Sequence, residues 1–349
     1  MDNRNAREDD LDRSSARLDR DADLGGDDRG DDGLMQAVHF DRYGSPDVLY
    51  PTVLPLPEAA RGELRVRVRA AGVQPADIAR RNGEFARRGI DADAAFPQRL
   101  GYEFAGVVDQ IGDGVRGYYH GQEVLGWCDG GAYAEVLAVP AAQVVAKPPM
   151  MSWAVAGALS ASGQTAQVAL RALNVGRGDT LLVHGAAGGV GSIAVQLARL
   201  AGARVIGSAS RENHAYLRTL GVEPVLYGEG LVARVHELAP QGVSVALDAA
   251  GRGAIAASLA LGAARERIGT LVDADGAREH GVLRLRGECD RDRLRQLVEL
   301  YEHGRLHVHV REIYPLAHAA VAHRDVETGH GRGKVVLMVY QTGDSGFGP

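Results

Sequence analysis

The chain of 349 residues is long for one hydrophobic core and predicts two compact domains. Its net charge of −6 resides wholly in residues 1–33, which hold 12 Asp/Glu and 6 Arg; the rest is balanced, so no basic field speaks for nucleic acid or an anionic membrane surface. No apolar run approaches the roughly 20 residues that span a bilayer, no signal-peptide order opens the chain, and two cysteines, Cys128 and Cys289, give neither a disulfide framework nor a zinc site built on several thiolates; a cytoplasmic protein is expected.

Residues 1–33 are rich in Asp, Arg and Gly and have too little apolar surface to offset the entropy of ordering, so a disordered acidic tail is expected. From residue 34 to 152 the chain reads as β-rich. "MQAVHF" opens it, "LRVRVRAAGV" alternates apolar and charged residues with the period of a half-exposed strand, and "FAGVVDQIG", "EVLGW" and "AYAEVLAV" follow between Gly and Asp turns. A twisted, barrel-like antiparallel unit is the expectation.

Between 153 and 284 the rhythm changes to helix and strand in alternation. Helices are expected at 153–173, 189–201, 211–220, 230–239 and 253–260, and strands at 180–184, 203–207, 224–226, 243–248 and 267–272. Such alternation is how a doubly wound parallel sheet is written. Residues 285–349 add the amphipathic helix "RDRLRQLVELYEHG", the strand "HVHVREIYP", the helix "LAHAAVAHRDVETG" and the strand "KVVLMVY", elements suited to return to the first unit.

The chemistry-bearing stretch is "LLVHGAAGGVGSIAVQLARLAGARVIGSASREN", residues 181–213. In the pattern G-x-G-x-x-G, Ala186 takes the first glycine's place, with Gly188 and Gly191 at the others; Gly189 and Val190 complete the turn. Set between a strand and a helix, such a turn brings backbone N–H groups and a helix N-terminus to a pyrophosphate. A carboxylate closing the second strand would accept hydrogen bonds from an adenosine ribose. This strand closes on Ala209, Ser210 and Arg211, a hydroxyl and a guanidinium suited to a 2′-phosphate, so NADPH is favoured over NADH. The alternative is that Arg211 is a solvated start of a helix.

These segments, with "FDRYGSPDVL", "VRVRAAGVQPAD", "LGYEFAGVV", "GAYAEVLAVP", "GQTA" and "RGKVVL", resemble the medium-chain dehydrogenase/reductase superfamily, and within it the zinc-independent, zeta-crystallin-like quinone oxidoreductase branch. The resemblance covers residues 35–341. It implies a GroES-like catalytic domain split around a Rossmann domain, a homodimer joined through the Rossmann sheet, and substrate and nicotinamide in the cleft between domains. It places Gln74, the catalytic candidate, where the branch commonly has an Asn whose amide lies near nicotinamide and substrate, Thr165 beside the nicotinamide, and Tyr227 at a tyrosine that lies by the 2′-phosphate in some members. Zinc-dependent relatives carry a cysteine in the place of Gln74 and a G-H-E signature where this chain has Gly101, Tyr102 and Glu103, so no metal is expected. His184, His303, His307 and His309 are read as packed or surface histidines. Enoyl-thioester reductases often place a proton-donating Tyr where "NGEF" offers Phe85, which has no proton to give.

The function expected is NADPH-dependent hydride transfer to a quinone or related conjugated carbonyl, a small-molecule electron acceptor, with Gln74 meeting the developing charge. One alternative is an enoyl reductase of a thioester or biosynthetic intermediate, for which Arg80, Arg81, Arg87 and Arg88 would receive a phosphate-bearing carrier. Another is an NADPH-binding sensor or partner protein without turnover.

Overall fold

The computed structural model describes residues 33–90 and 94–340; the expected acidic tail, Gly33 apart, lies outside the described residues. The chain opens with strands β1 (Leu34–Phe40), β2 (Tyr50–Pro55) and β3 (Glu63–Val73), then short helices α1 (Pro75–Arg81) and α2 (Glu84–Arg87). Strands β4 (Gln98–Arg99), β5 (Glu103–Ile111), β6 (Glu123–Trp127), β7 (Val136–Pro140) and β8 (Val144–Ala146) follow. In β3 the alternation does what its period demands: Leu64, Val66 and Val68 are buried, while Arg65 and Arg67 turn outward to clasp Asp109 of β5, each at 2.9 Å. The expected strand at 132–139 is regular only from Val136. Before it, Tyr133 and Glu135 bond instead to Leu100 and Gln36, carrying the chain from one sheet to the next.

Helix α3 (Trp153–Ala172) is capped by Ser152, whose Oγ accepts from Val155 N at 3.3 Å, a contact of the kind that contributes about 1 kcal/mol. It leads into β9 (Thr180–His184), α4 (Gly189–Leu200), β10 (Arg204–Ala209), α5 (His214–Thr219), β11 (Glu223–Leu226), α6 (Leu231–Leu238), β12 (Val245–Asp248), α7 (Ala254–Ala260), β13 (Ile268–Thr270), α8 (Ala274–His280) and β14 (Leu283–Arg284). All pairings among these strands are parallel, in the order β11-β10-β9-β12-β13-β14. Numbered within the sheet this is 3-2-1-4-5-6, the order of dinucleotide-binding folds, with its switch point between β9 and β12. The helix expected over 211–220 begins as a 3₁₀ turn, Arg211–Asn213, before α5. Sequence periodicity also passed over α1, α2 and α8, each of seven residues or fewer and too short to show a stripe.

Finally come α9 (Arg291–Glu302), β15 (Val310–Pro315), α10 (Ala319–Glu327) and β16 (Lys334–Met338). β16 pairs antiparallel with the end of β3, Val335 opposite Val73, so the C-terminal strand completes the sheet begun near the N-terminus. Helix α3 packs between the sheet of β3, β5, β6 and β16 and the α4 side of the parallel sheet. Gly157 on α3 lets it approach β3 so closely that a Cβ there would stand 2.7 Å from that of Ala70.

Candidate functional site

A cleft of about 1420 Å³ runs along the C-terminal ends of the parallel strands and under the first residues of α1. Its floor at the switch point is the turn after β9. Gly185 has φ +73°, and a Cβ on Gly191 would collide with the Gly185 carbonyl, so both positions require glycine. Gly188 serves as N-cap of α4, with Ser192 N donating to its carbonyl at 2.9 Å. Gly188, Gly189, Val190 and Gly191 line the cleft, with the free N–H groups of the first turn of α4 beside them. Ala186 lies beneath the turn, fully buried, its N–H donating to Ser208 O at 3.0 Å. Its methyl fits because the facing β10 residue is Gly207, where a Cβ would stand 2.7 Å from that of Ala186.

At the end of β10, Ala209 is buried and Ser210 faces the cleft, its Oγ accepting from Asn213 Nδ2 at 3.1 Å. Arg211 stands exposed beside it and is not part of the cleft wall. A different guanidinium is held close by: Arg332 donates from Nε to Asn213 Oδ1 at 3.0 Å and lies 4.8 Å over the Tyr216 ring. Tyr227, 43% exposed, lines the same end. Asp248, closing β12, fixes the next loop by accepting from the N–H groups of Ala250 and Gly251 and from Thr270 Oγ1.

The other end of the cleft is built on β3, α1 and α3. Pro75 starts α1, and Asp77 accepts from Gln74 N and Gly101 N, both at 2.8 Å. Burial raises the Asp77 carboxyl to about 7 against these bonds. The helix start thereby fixes Gln74 at the cleft wall, which Thr165 of α3 also lines. The Gln74 amide nitrogen donates to the Glu103 carboxylate, and its Oε1 lies 3.5 Å from Ser162 Oγ. Glu103 also accepts from Ala161 N at 2.8 Å and pairs with Lys334 Nζ at 2.9 Å; Lys334 Nζ donates to Ser162 Oγ at 3.0 Å. Glu103, Lys334 and Ser162 are all buried.

Sequence reading missed this network and Arg332, although "LGYEFAGVV" and "RGKVVL" contain Glu103, Arg332 and Lys334. A buried carboxylate and ammonium 231 positions apart carry no local signal of their pairing.

His184, closing β9, is buried; Ser258 Oγ commits its proton to Ala254 O, so His184 Nε2 donates to Ser258 Oγ at 3.0 Å. Burial pushes this imidazole down to about 4, which leaves it neutral, a packed residue of the cleft floor. Cys289 lines the cleft with its thiol pushed up by burial to about 11. Phe85 lines it as well, offering a ring face and no acid.

The expected arginine face needs correction. Arg81 is fully buried, bonded to Gly44 O and His323 Nδ1 and paired with Glu327, so it faces α10 rather than the cleft. Arg80 holds the Asp129 carbonyl, Arg87 holds that of Asn82, and of the four only Arg88 lines the cleft.

The residues present do not fit a catalytic zinc. Gln74 offers an amide already bonded to Glu103, Glu103 is engaged by Lys334, and the Tyr102 hydroxyl accepts from Arg80 at 3.3 Å outside the cleft wall. Among the described residues no three His, Cys, Asp or Glu side chains stand together as a ligand set, and no helix is long and apolar enough to cross a membrane.

This architecture is matched by known proteins. An alcohol dehydrogenase GroES-like domain model matches residues 60–149, and a zinc-binding dehydrogenase model matches residues 220–337. The chain is 30% identical over 317 residues to 2-methylene-furan-3-one reductase of Solanum lycopersicum, covering 87% of this chain and 79% of that protein. It is 32% identical over 221 residues to the synaptic vesicle membrane protein VAT-1 homolog-like of Homo sapiens, covering 63% of this chain but only about half, 52%, of that relative's length. Among solved structures, the quinone oxidoreductase from Coxiella burnetii superposes with a TM-score of 0.78 at 30% identity, over 88% of this chain and all of that one. The Escherichia coli quinone oxidoreductase complexed with NADPH does so with a TM-score of 0.77 at 26% identity, over 87% and 99%. Strand order, glycine turn and the return of the last strand to the first sheet thus have one common explanation, and the chain belongs to the medium-chain dehydrogenase/reductase superfamily, in its quinone oxidoreductase branch.

Proposed function

We propose that the protein is a zinc-independent, NADPH-dependent reductase of a quinone or related conjugated carbonyl. The observation that carries this reading is a single cleft with a glycine turn and a carboxylate-free strand end at one side and a buried, oriented amide at the other. The NADPH-bound Escherichia coli neighbour and the tomato reductase support it.

In this reading Gly188, Gly189, Val190 and Gly191 hold the pyrophosphate, with Ala186 packing beneath, and Thr165 borders the nicotinamide. Ser210, Arg211 and Tyr227 receive the 2′-phosphate, joined by Arg332. Bound NADPH supplies hydride. The chain's part is positional: Gln74 Nε2 carries two hydrogens, Glu103 takes one, and the other is free to meet the oxygen on which negative charge develops. With Phe85 and the thiol of Cys289 unsuited to acid catalysis, the proton that completes reduction comes from solvent. A homodimer would form through the parallel sheet, whose two edge strands, β11 and β14, each have one neighbouring strand among the described residues.

The test is loss of NADPH absorbance with a panel of quinones, enones and enoyl thioesters, alongside NADPH binding. Quinone or enone turnover is the expected result. Tight NADPH binding without turnover of any acceptor would replace this reading with that of a sensor.

A further inference from the structure

The acceptor end of the cleft has a charge that the reduction of a neutral quinone does not need. After β14, Leu285 is buried against Gly269 with its N–H donating to Thr270 O at 2.9 Å, while its neighbours Arg284 and Arg286 turn away from this core. Both are exposed, both line the cleft, and neither has a carboxylate partner among the described residues. Contacts of residues 287–290 with α3 fix their place along the cleft. Asp290 N donates to Gln164 Oε1 at 2.6 Å, and Gly287 lies so near Val168 that any side chain would collide with it; Gln164 and Val168 flank Thr165 on α3. β14 is also the outermost strand of the sheet half away from Ser210. Arg88, at the end of α2, lines the same end and pairs with Glu84 at 2.7 Å. Incomplete solvation first, then the charges of Arg286, Arg88 and Arg278, lower the Arg284 pKa against the opposing pull of Asp275, as expected of guanidinium groups gathered within electrostatic reach. The same cleft is also lined by the apolar surfaces of Phe85, Ile90, Leu271 and Val272.

We propose that Arg284 and Arg286, with Arg88, form an anion subsite that selects conjugated carbonyl acceptors bearing a carboxylate, sulfonate or phosphate at the end remote from the reacting carbonyl. The inference rests on the reductase reading of the cleft. The flat apolar surfaces take the conjugated system, Gln74 takes the reacting oxygen and the guanidinium groups take the anion. The anion can sit on the acceptor itself or on a phosphate-bearing thioester arm, and the test separates the two.

Steady-state turnover with saturating NADPH is measured on two matched pairs: 1,4-naphthoquinone against its 2-sulfonate, and an enoyl-CoA against the same enoyl group on uncharged pantetheine. The wild type is compared with Arg284→Ala/Arg286→Ala and with the charge-reversed Arg284→Glu/Arg286→Glu. The expected result is a KM for the anionic member of one pair at least tenfold below that of its neutral partner, lost in the alanine variant, reversed in the glutamate variant and weakened by salt. The neutral partner's turnover and the NADPH affinity should stay within about twofold. The pair showing the effect identifies the source of the anion. Equal KM values within both pairs, or an effect that the arginine variants leave untouched, would overturn the subsite. If no acceptor turns over, calorimetry of the same anionic compounds with NADPH-saturated protein decides the subsite on its own. Arginine-dependent binding there upholds it, and its absence overturns it, while the reductase reading fails separately.

Discussion

Lys334 Nζ lies 2.9 Å from Glu103 Oε1, an ammonium and a carboxylate each at most 4% exposed, joined across 231 positions of sequence. The pair binds the start of β16 to the start of β5, and through the Glu103 bond to Gln74 it sets the amide at the cleft wall. Removing one partner of such a pair leaves a charge buried without compensation, a loss of about 3 to 5 kcal/mol. Glu103→Gln should therefore shift the urea midpoint far down, and adding Lys334→Met should recover most of it. A single variant as stable as wild type would mean that the pair contributes nothing to the fold.

Gly207 and Ala186 exchange a methyl group between the phosphate turn and β10. Gly207→Ala should cost about 1 to 3 kcal/mol by overpacking, with weakened cofactor binding as the turn shifts. The double change Ala186→Gly/Gly207→Ala removes the collision with the Ala186 methyl but leaves Val222 Cγ1 at 2.9 Å, so it should regain part of the stability and of the binding. Failure of the double variant to improve on Gly207→Ala would show that the two positions do not share one space.

Burial, and after it the Arg81 charge, holds the His323 imidazole down to about 3, against 6.5 as the ordinary value. A folded pKa below the unfolded one means that the unfolded chain binds more protons between those values, so this contribution to stability is whole above about 6.5 and is lost as pH falls toward 3. His184, held down to about 4, acts in the same sense. Asp77, raised to about 7, acts in the opposite sense and adds stability as pH falls from 7 toward 4. His323→Gln should therefore flatten the acid limb of stability, by roughly 1 kcal/mol per pH unit below about 6, and Asp77→Asn should steepen it. Denaturant midpoints at pH 7, 6 and 5 measure both slopes.

Arg211→Ala and Arg332→Ala should each lower NADPH affinity about tenfold, the size of one charge-assisted contact, and leave NADH affinity nearly unchanged. Ala209→Asp should act in the same direction by repelling the phosphate and offering a ribose acceptor. Ratios of the two dissociation constants in each variant give the answer. Equal weakening of both cofactors would remove the strand end from cofactor selection.

Exhaustive chelation should leave turnover unchanged, because the Gln74 amide is bonded to Glu103, Glu103 is committed to Lys334 and the Tyr102 hydroxyl lies outside the cleft wall. Metal analysis accompanies the assay. Stoichiometric zinc whose removal abolishes activity and whose return restores it would contradict this.

The parallel sheet, the dinucleotide turn and the neutral character of the body were legible in the sequence because each is a local pattern: strand and helix in alternation, glycines at fixed spacing, charge summed along a segment. Motif resemblance pointed to Gln74 and Thr165, and both line the cleft. Tertiary structure decided what depends on distant partners. It buried Arg81 against His323 and Glu327 and left only Arg88 of its group at the cleft, since neighbours on a helix of seven residues can face opposite ways. It brought Arg284 and Arg286 to the cleft wall and seated Arg332 against Asn213, because the chain builds the parallel sheet and then returns to the sheet of β3. A composition records which charges a chain owns; only the crossing of strands determines which of them meet.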